Sequence, residues 1–302
     1  MSTTLIHNGT VIDGNGGAPI TDGAVLIKDN SIRAVGRKAD IPLPNEKITM
    51  IDAQGGTILP GMIDTHVHMM LEGVNLIQMA ISPFSLRFFE VIERLQKTID
   101  AGITTVRDAG GTDLGVKTAI DRGLIVGPRI QLSLTMLSAT GGHGDGWMPS
   151  GIELTLFQEY PGMPRNICDG EADVRKKVRR VLSAGAGVIK LCSSGGAVSP
   201  TDHPYNVQFS VPEIKAAVEE ADFHQGKKVM AHAHEPRGIT NAINAGVHSI
   251  EHGVYMDDAC IDLMIKKGTY LVPTLMAIVG GLEHAAVANS LPEYALAKAR
   301  GQ

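Results

Sequence analysis

Cysteine is scarce in this chain. Cys168, Cys192 and Cys260 are odd in number and show no C-x-x-C spacing, which excludes a disulfide framework and reads as reduced thiols in the cytosol. A charge of one sign is missing too. The 27 Lys+Arg stand against 32 Asp+Glu, a net charge of −5, too balanced for a nucleic-acid or anionic-membrane partner. No apolar run approaches the ~18 residues of a membrane span. Residues 1–9 carry neither the basic nor the apolar segment of a signal peptide. A cytoplasmic protein with a small-molecule substrate, no nucleic acid and no membrane is expected. With 43% hydrophobic residues, 20% charged, 35 Gly and 15 Pro among 302, a disordered chain, a collagen-like repeat and a coiled coil are excluded as well.

What is present falls into two regimes. Through residue 57, short β-like runs alternate with turn residues: Thr4–His7, Val11–Asp13, Gly23–Ile27, Ser31–Val35 and Lys47–Asp52. Lys28-Asp29-Asn30 between two of them is a hairpin signal. Residues 1–57 are therefore expected to form a small β-domain. Residues 58–302 change pattern, to apolar strands alternating with amphipathic helices. The expected strands are Ile58–Asp64, Ile103–Asp108, Ile130–Thr135, Val188–Cys192, Lys228–His232, His248–His252 and Tyr270–Thr274. The expected helices are Leu86–Ala101, Ala172–Ala184, Val211–His224, Gly238–Ala245 and Asp257–Lys267. Such alternation means parallel strands with helical crossovers.

A weak repeat separates a barrel from a doubly wound sheet. A glycine ends a helix, and a polar residue follows at the end of the next strand: Gly102 then Asp108, Gly226 then His232, Gly246 then His252, Gly268 then Thr274. Lys190 follows Gly185 in the same manner. Reactive groups at the ends of several strands define the catalytic face of a TIM barrel, whereas a doubly wound sheet gathers its ligands at one switch point. No G-x-G-x-x-G or Walker loop follows the first strand. A TIM-like α/β barrel is the expectation.

Histidine carries the chemistry. In Pro60-Gly61-Met62-Ile63-Asp64-Thr65-His66-Val67-His68 an apolar strand runs into His-x-His. Side chains two apart on a strand share a face, so His66 and His68 can bind one cation from one strand end. Two polar residues closing a strand is the plainer reading of that pair alone. His232 and His234 repeat the form, and His252 follows in Ser249-Ile250-Glu251-His252-Gly253. Singly, each fits a hydrogen-bonded core histidine; jointly, at successive strand ends, they point to a metal centre, with His234 serving either substrate or the support of the ligands. Lys190 lies inside the apolar Gly187–Cys192, where an ammonium is costly unless paired, neutral or modified. It either reaches a carboxylate or is carbamylated. His143, in the Gly-rich 140–147, either meets a ligand or sits on an exposed turn. Tyr205, in the long 193–212 stretch, and Arg237, just beyond His234, are further candidates for substrate binding, although Arg237 fits a surface role equally well.

Taken together, Ile51-Asp52-Ala53-Gln54-Gly55-Gly56-Thr57-Ile58-Leu59-Pro60-Gly61-Met62-Ile63-Asp64-Thr65-His66-Val67-His68, the Ala245–Gly253 segment and the Val188–Cys192 strand resemble the metal-dependent amidohydrolase superfamily. The branch resembled holds imidazolonepropionase-like proteins and Xaa-Pro dipeptidases or carboxypeptidases. That resemblance implies a distorted (β/α)8 barrel, a β-sandwich built from both chain ends, and two divalent metal ions, most often Zn2+. His66 and His68 would hold one ion, His232 and His252 the other, and carbamylated Lys190 would bridge them around an activating hydroxide. The substrate implied is a dipeptide or an N-acyl amino acid. Cyclic amides, lactones and organophosphate esters are alternatives on the same metal pair.

The resemblance also implies an Asp at the end of an eighth strand, where it serves as general acid and base. Seven strands are legible; after Tyr270–Leu275 come a Gly280-Gly281 break and a helical Pro292–Arg300. The barrel is expected to be truncated after strand seven, either as part of a longer enzyme or as a metal-binding paralogue without full chemistry. Strands one and seven would then present unpaired edges, and a homo-oligomer is expected.

Overall fold

The computed structural model describes residues 2–71, 76–277, 279–280 and 293–300. It divides into two compact units, Met1–Met62 and Ile63–Gln302. In the first, β1 (Thr3–Val11), β2 (Ile20–Lys28), β3 (Ser31–Arg37), β4 (Ile48–Asp52) and β5 (Thr57–Ile58) make one mixed sheet. β1 is central: it pairs antiparallel with β2 and parallel with both β4 and β5. The two runs expected at Thr4–His7 and Val11–Asp13 are a single strand whose register shifts between Ile6 and Gly9. Leu5, Ala24, Leu26 and Ile41 form the core of this unit. Among the described residues it contains this one sheet.

The first strand of the second regime starts later than Ile58. Thr57–Ile58 bonds to β1, and β6 covers Met62–Val67. Pro60, which lacks an N–H, falls in the gap. Beyond it come β7 (Ile103–Asp108), β8 (Arg129–Leu132), β9 (Met136–Leu137), β10 (Ile189–Cys192), β11 (Val229–Ala233), β12 (Ser249–His252) and β13 (Tyr270–Val272). They form two sheets, β6-β7-β8 and β13-β12-β11-β10-β9. β7 and β8 pair in parallel, and so do all neighbours from β9 to β13. No closed barrel forms among the described residues.

The expected strand Ile130–Thr135 is split into β8 and β9. Leu134 takes a left-handed backbone, φ 66°, so the chain cannot continue extended through it. Its carbonyl accepts from Gly111 N at 2.7 Å. One strand thus serves two sheets, β8 against β7 and β9 against β10.

Helices among the described residues include α1 (Leu76–Ile81), α2 (Leu86–Asp100), α3 (Leu114–Asp121), α4 (Gly170–Ser183), α5 (Val211–Phe223), α6 (Pro236–Ala245), α7 (Asp258–Lys267) and α8 (Glu293–Arg300). α1 and α3 were not expected; both are short, and α3 is started by the Asp113 side chain accepting from Val116 N. α4 buries Val174, Val178, Val181 and Leu182, a stripe at helical spacing. α5 is closed at its start by a Ser210–Glu213 capping box. Gly281 and Pro292, expected in a break and in the last helix, lie outside the described residues.

The repeated glycines behave as their positions demand. Gly102, Gly185, Gly226, Gly246 and Gly268 all take positive φ, between 68° and 106°. Each turns the chain out of a helix toward a strand. The register of every following strand, and so the position of its polar end, depends on that turn. Replacing Gly246 by alanine forces a Cβ into the left-handed region, a cost of about 1 kcal/mol. The melting temperature of Gly246→Ala is expected to fall by roughly 2–4 °C; an unchanged melting curve would show that this turn does not set the strand.

Candidate metal centre and substrate cavity

β6, β9, β10, β11, β12 and β13 all contribute residues to one cavity of about 630 Å3. His66, His68, His143, His232, His234 and His252 line it together with Lys190. The rings form a continuous cluster: centroids are 5.4 Å apart for His66–His68, 4.8 Å for His66–His252 and 4.7 Å for His232–His252. His143 stacks on His232 at 4.5 Å, and His234 stacks on His252 at 5.1 Å.

The protons on these rings are set by their partners. His68 Nδ1 donates to the Gly110 carbonyl at 2.9 Å, and His232 Nε2 donates to the Gly195 carbonyl at 3.0 Å. A carbonyl only accepts, so His68 Nε2 and His232 Nδ1 are left as lone-pair nitrogens. His66 Nδ1 donates to Glu251 Oε2 at 2.5 Å, freeing its Nε2 in the same way. His252 Nδ1 lies 2.6 Å from Thr274 Oγ1. His252 and Thr274 both hold left-handed backbones, φ 74° and 46°, strain of the kind concentrated at functional sites.

Glu251 organises this part of the site. It is fully buried, and its Oε1 accepts from Arg107 Nη2 at 2.8 Å and from Ser249 Oγ at 2.5 Å. Asp108, also fully buried, accepts from Met69 N at 2.9 Å, Gly110 N at 3.0 Å and Thr112 Oγ1 at 2.6 Å. It therefore shapes the turn that places His68; burial pushes its carboxyl up to about 6. Neither role was foreseen. A Glu inside an apolar strand was the available signal for Glu251, the same signal that singled out Lys190. Thr274 had been placed at a strand end without a role.

Lys190 is buried, and its Nζ has no hydrogen-bond partner among the described residues. Burial pulls the ammonium down to about 8, which makes the neutral amine far more accessible near neutral pH than in an ordinary lysine. His234 Nδ1 is likewise buried without a partner. Burial lowers all five rings other than His143: His66, His232 and His252 well below their usual value, His68 to about 4 and His234 to about 3.

Two expected substrate contacts are not brought to the cavity. Tyr205 is exposed, stacked between His203 at 5.4 Å and Tyr255 at 4.6 Å. The polar residues of its loop bond to one another and to His143: Asp202 Oδ2 accepts from Gly196 N at 2.9 Å and Gln208 Nε2 at 3.2 Å, and Ser199 Oγ lies 2.9 Å from His143 Nδ1. From that stretch only Ala197 and Val198 line the cavity. Arg237 is exposed on the first turn of α6, because Glu235 caps the helix and turns the chain at Pro236.

The donors suit a divalent cation in chemistry: neutral imidazoles with fixed tautomers, backed by carboxylate and carbonyl partners, beside an unpartnered amine. Among the described residues, no group of three or more His, Cys, Asp or Glu side chains stands arranged to hold a metal ion. Lys190, which lines the same cavity, is outside those residue types. No helix among the described residues is long and apolar enough to cross a membrane.

The chain belongs to the amidohydrolase family, whose profile matches residues 57–299. It is 36% identical over 287 residues to ochratoxinase of Aspergillus niger, an alignment covering 91% of this chain and 59% of that protein. The chain thus spans under two thirds of this relative's length. A crystal structure of a prolidase complexed with N-methylphosphonate-L-proline superposes with a TM-score of 0.88 at 37% identity, over 99% of this chain and 72% of that one. A Xaa-Pro dipeptidase with bound methionine gives 0.85 at 32% identity, over 99% and 73%.

The neutral histidines have a consequence for the metal-free chain. Unfolded histidine titrates near 6.5, so below that pH the unfolded state takes up protons that the folded state refuses. Stability is therefore lost as pH falls from about 6.5 toward the folded values, by up to about 1.4 kcal/mol per pH unit for each ring. Asp108, raised from 3.8 to about 6, acts oppositely but alone: its stabilisation is present at low pH and lost as pH rises through 6. The melting temperature of chelator-treated protein is expected to drop by at least about 5 °C between pH 7 and 5. A flat or rising profile would show that the rings are not held neutral.

Proposed function

We propose that the chain forms the metal-binding body of a hydrolase that cleaves the amide bond of a dipeptide or an N-acyl amino acid. The observation that carries this reading is the gathering of six imidazoles and an unpartnered lysine on one cavity. Family membership supports amide hydrolysis, and the prolidase, Xaa-Pro dipeptidase and ochratoxinase relatives support the substrate class.

His66 and His68 would hold one divalent cation, Zn2+ in this proposal, and His232 and His252 a second. Lys190 would be shared between them as a carbamate, formed when its neutral amine adds CO2 and releases a proton. When bound, the cations supply an acidified water and polarisation of the amide carbonyl. The remaining roles belong to the chain. Glu251 keeps the proton of His66 on Nδ1, and the Gly110 carbonyl does the same for His68. With Tyr205 and Arg237 outside the cavity, His143 and His234 are the groups left to meet a substrate carboxylate.

His66→Ala and His252→Ala are expected to lose bound metal, measured by mass spectrometry of the metal content, together with amide hydrolysis. Full activity in either variant would refute the ligand assignment.

Protonation of the departing amine calls for an acid. In this proposal it is the carboxylate that the resemblance assigns to an eighth strand, beyond the seven strand positions described. A chain extended to the length of the relatives and carrying that carboxylate is expected to hydrolyse amides at least about 100-fold faster. Equal turnover by the two chains would remove the eighth-strand carboxylate from the mechanism.

A further inference from the structure

The lining of the cavity is of two kinds. Besides the imidazoles and Lys190, it carries an apolar wall of Leu71, Met136, Leu156, Phe157 and Val198. These side chains pack in a cluster of their own, apart from the main core.

The wall is built at both ends. The Phe157 ring centroid lies 6.0 Å from that of His68. On its other contacts the ring rests on bare backbone: a Cβ added to Gly110 or Gly111 would come within 2.9 or 3.0 Å of it. Both glycines hold positive φ, 133° and 98°, so the segment is committed to seating this ring. Val198 is anchored from α8. Tyr294 Oη donates to the Val198 carbonyl at 3.1 Å, and Lys298 Nζ donates to the carbonyls of Ser199 at 2.7 Å and Asp202 at 2.5 Å. A surface fixed in advance loses little conformational freedom when a ligand covers it.

We propose that this wall receives a large aliphatic or aromatic group on one side of the scissile amide, so that the site selects apolar dipeptides or N-acyl amino acids over those bearing a charged side chain there. The proposal rests on the amide-hydrolase reading and deepens it. Covering the wall with a Phe or Leu side chain in place of Ala is worth roughly 10- to 100-fold in affinity. An ammonium or carboxylate set against it would lose its hydration without a partner. Among the described residues Asp64 is the one carboxylate on the lining, and its Oδ1 already accepts from His66 N at 3.0 Å.

The test is kcat/KM for two series, N-acetyl-X and X-Ala, with X as Phe, Leu, Ala, Lys and Asp, alongside calorimetric binding of their reduced-amide analogues. In one series Phe and Leu are expected to exceed Ala by at least roughly tenfold, and Lys and Asp by roughly 100-fold. Phe157→Asp is expected to reverse the Leu-over-Lys preference by at least about tenfold. Val198→Asp, at a half-buried loop position, gives the same reversal if Phe157→Asp does not fold. In a chain extended to carry the eighth-strand carboxylate, binding graded by apolar size without turnover would sink the amide-hydrolase reading and leave the wall assignment standing. Turnover with no apolar preference, a Lys preference in the unaltered chain, or no binding by any analogue would overturn the wall.

Discussion

A carboxylate without solvent exposure holds the second unit together. Glu251 stands on β12, in the five-stranded sheet, and bonds to His66 on β6 and Arg107 on β7, both in the three-stranded sheet. Arg107 in turn donates to the Thr65 carbonyl at 2.7 Å and Ser249 Oγ at 3.2 Å. The two sheets are therefore tied by charge-assisted hydrogen bonds at the end where the cavity opens. Burying a carboxylate and a guanidinium is costly unless every oxygen and N–H finds a partner. Here both Glu251 oxygens are satisfied, and removing Arg107 would leave the carboxylate short of a partner away from water. The network adds little stability over an apolar core of the same volume, but it fixes where β6 ends relative to β12.

That same constraint sets the chemistry of the histidines. A ring buried without a partner is free to carry its proton on either nitrogen, and half of its orientations are useless to a cation. Glu251, Gly110 and Gly195 each remove that freedom at one ring by offering an acceptor. Burial then keeps the rings neutral, so their remaining nitrogens stay donors of electron pairs. Lys190 answers to the same burial with opposite effect on its usefulness. Its ammonium form is penalised, which raises the share of nucleophilic amine at a given pH. One low-dielectric pocket thus prepares both a neutral imidazole set and an amine whose charged form is disfavoured.

The sequence made the strand ends legible because periodicity reports on backbone. Parallel buried strands such as Ile189–Cys192 are apolar on both faces, and a lysine or histidine inside one is conspicuous. The helix-ending glycines were legible for the same reason, since a left-handed turn restricts the residue that makes it. What escaped was decided by partners distant in sequence. Leu134 breaks its strand where its carbonyl meets Gly111, 23 residues earlier. Tyr205 and Arg237 lie close to the cavity along the chain, yet loop hydrogen bonds around Asp202 and the Glu235 cap turn them outward. Glu251 was visible as a residue, but its role needs His66, 185 positions away.

The segment after β7 shows how closely the two kinds of lining depend on each other. Asp108 fixes this turn through Gly110 N and Thr112, while reaching back to Met69 N. Gly110 then receives the His68 proton on its carbonyl and, with Gly111, supports the Phe157 ring. Gly111 N also bonds to Leu134, where the third strand divides between the two sheets. Five consecutive residues therefore set a tautomer, an apolar wall and a sheet break. A side chain introduced at Gly110 would push Phe157 into the cavity and shift the carbonyl that orients His68 at once. The apolar wall and the histidine tautomer are not separable here, because both are built on one stretch of backbone that leaves no room for a Cβ at Gly110 or Gly111.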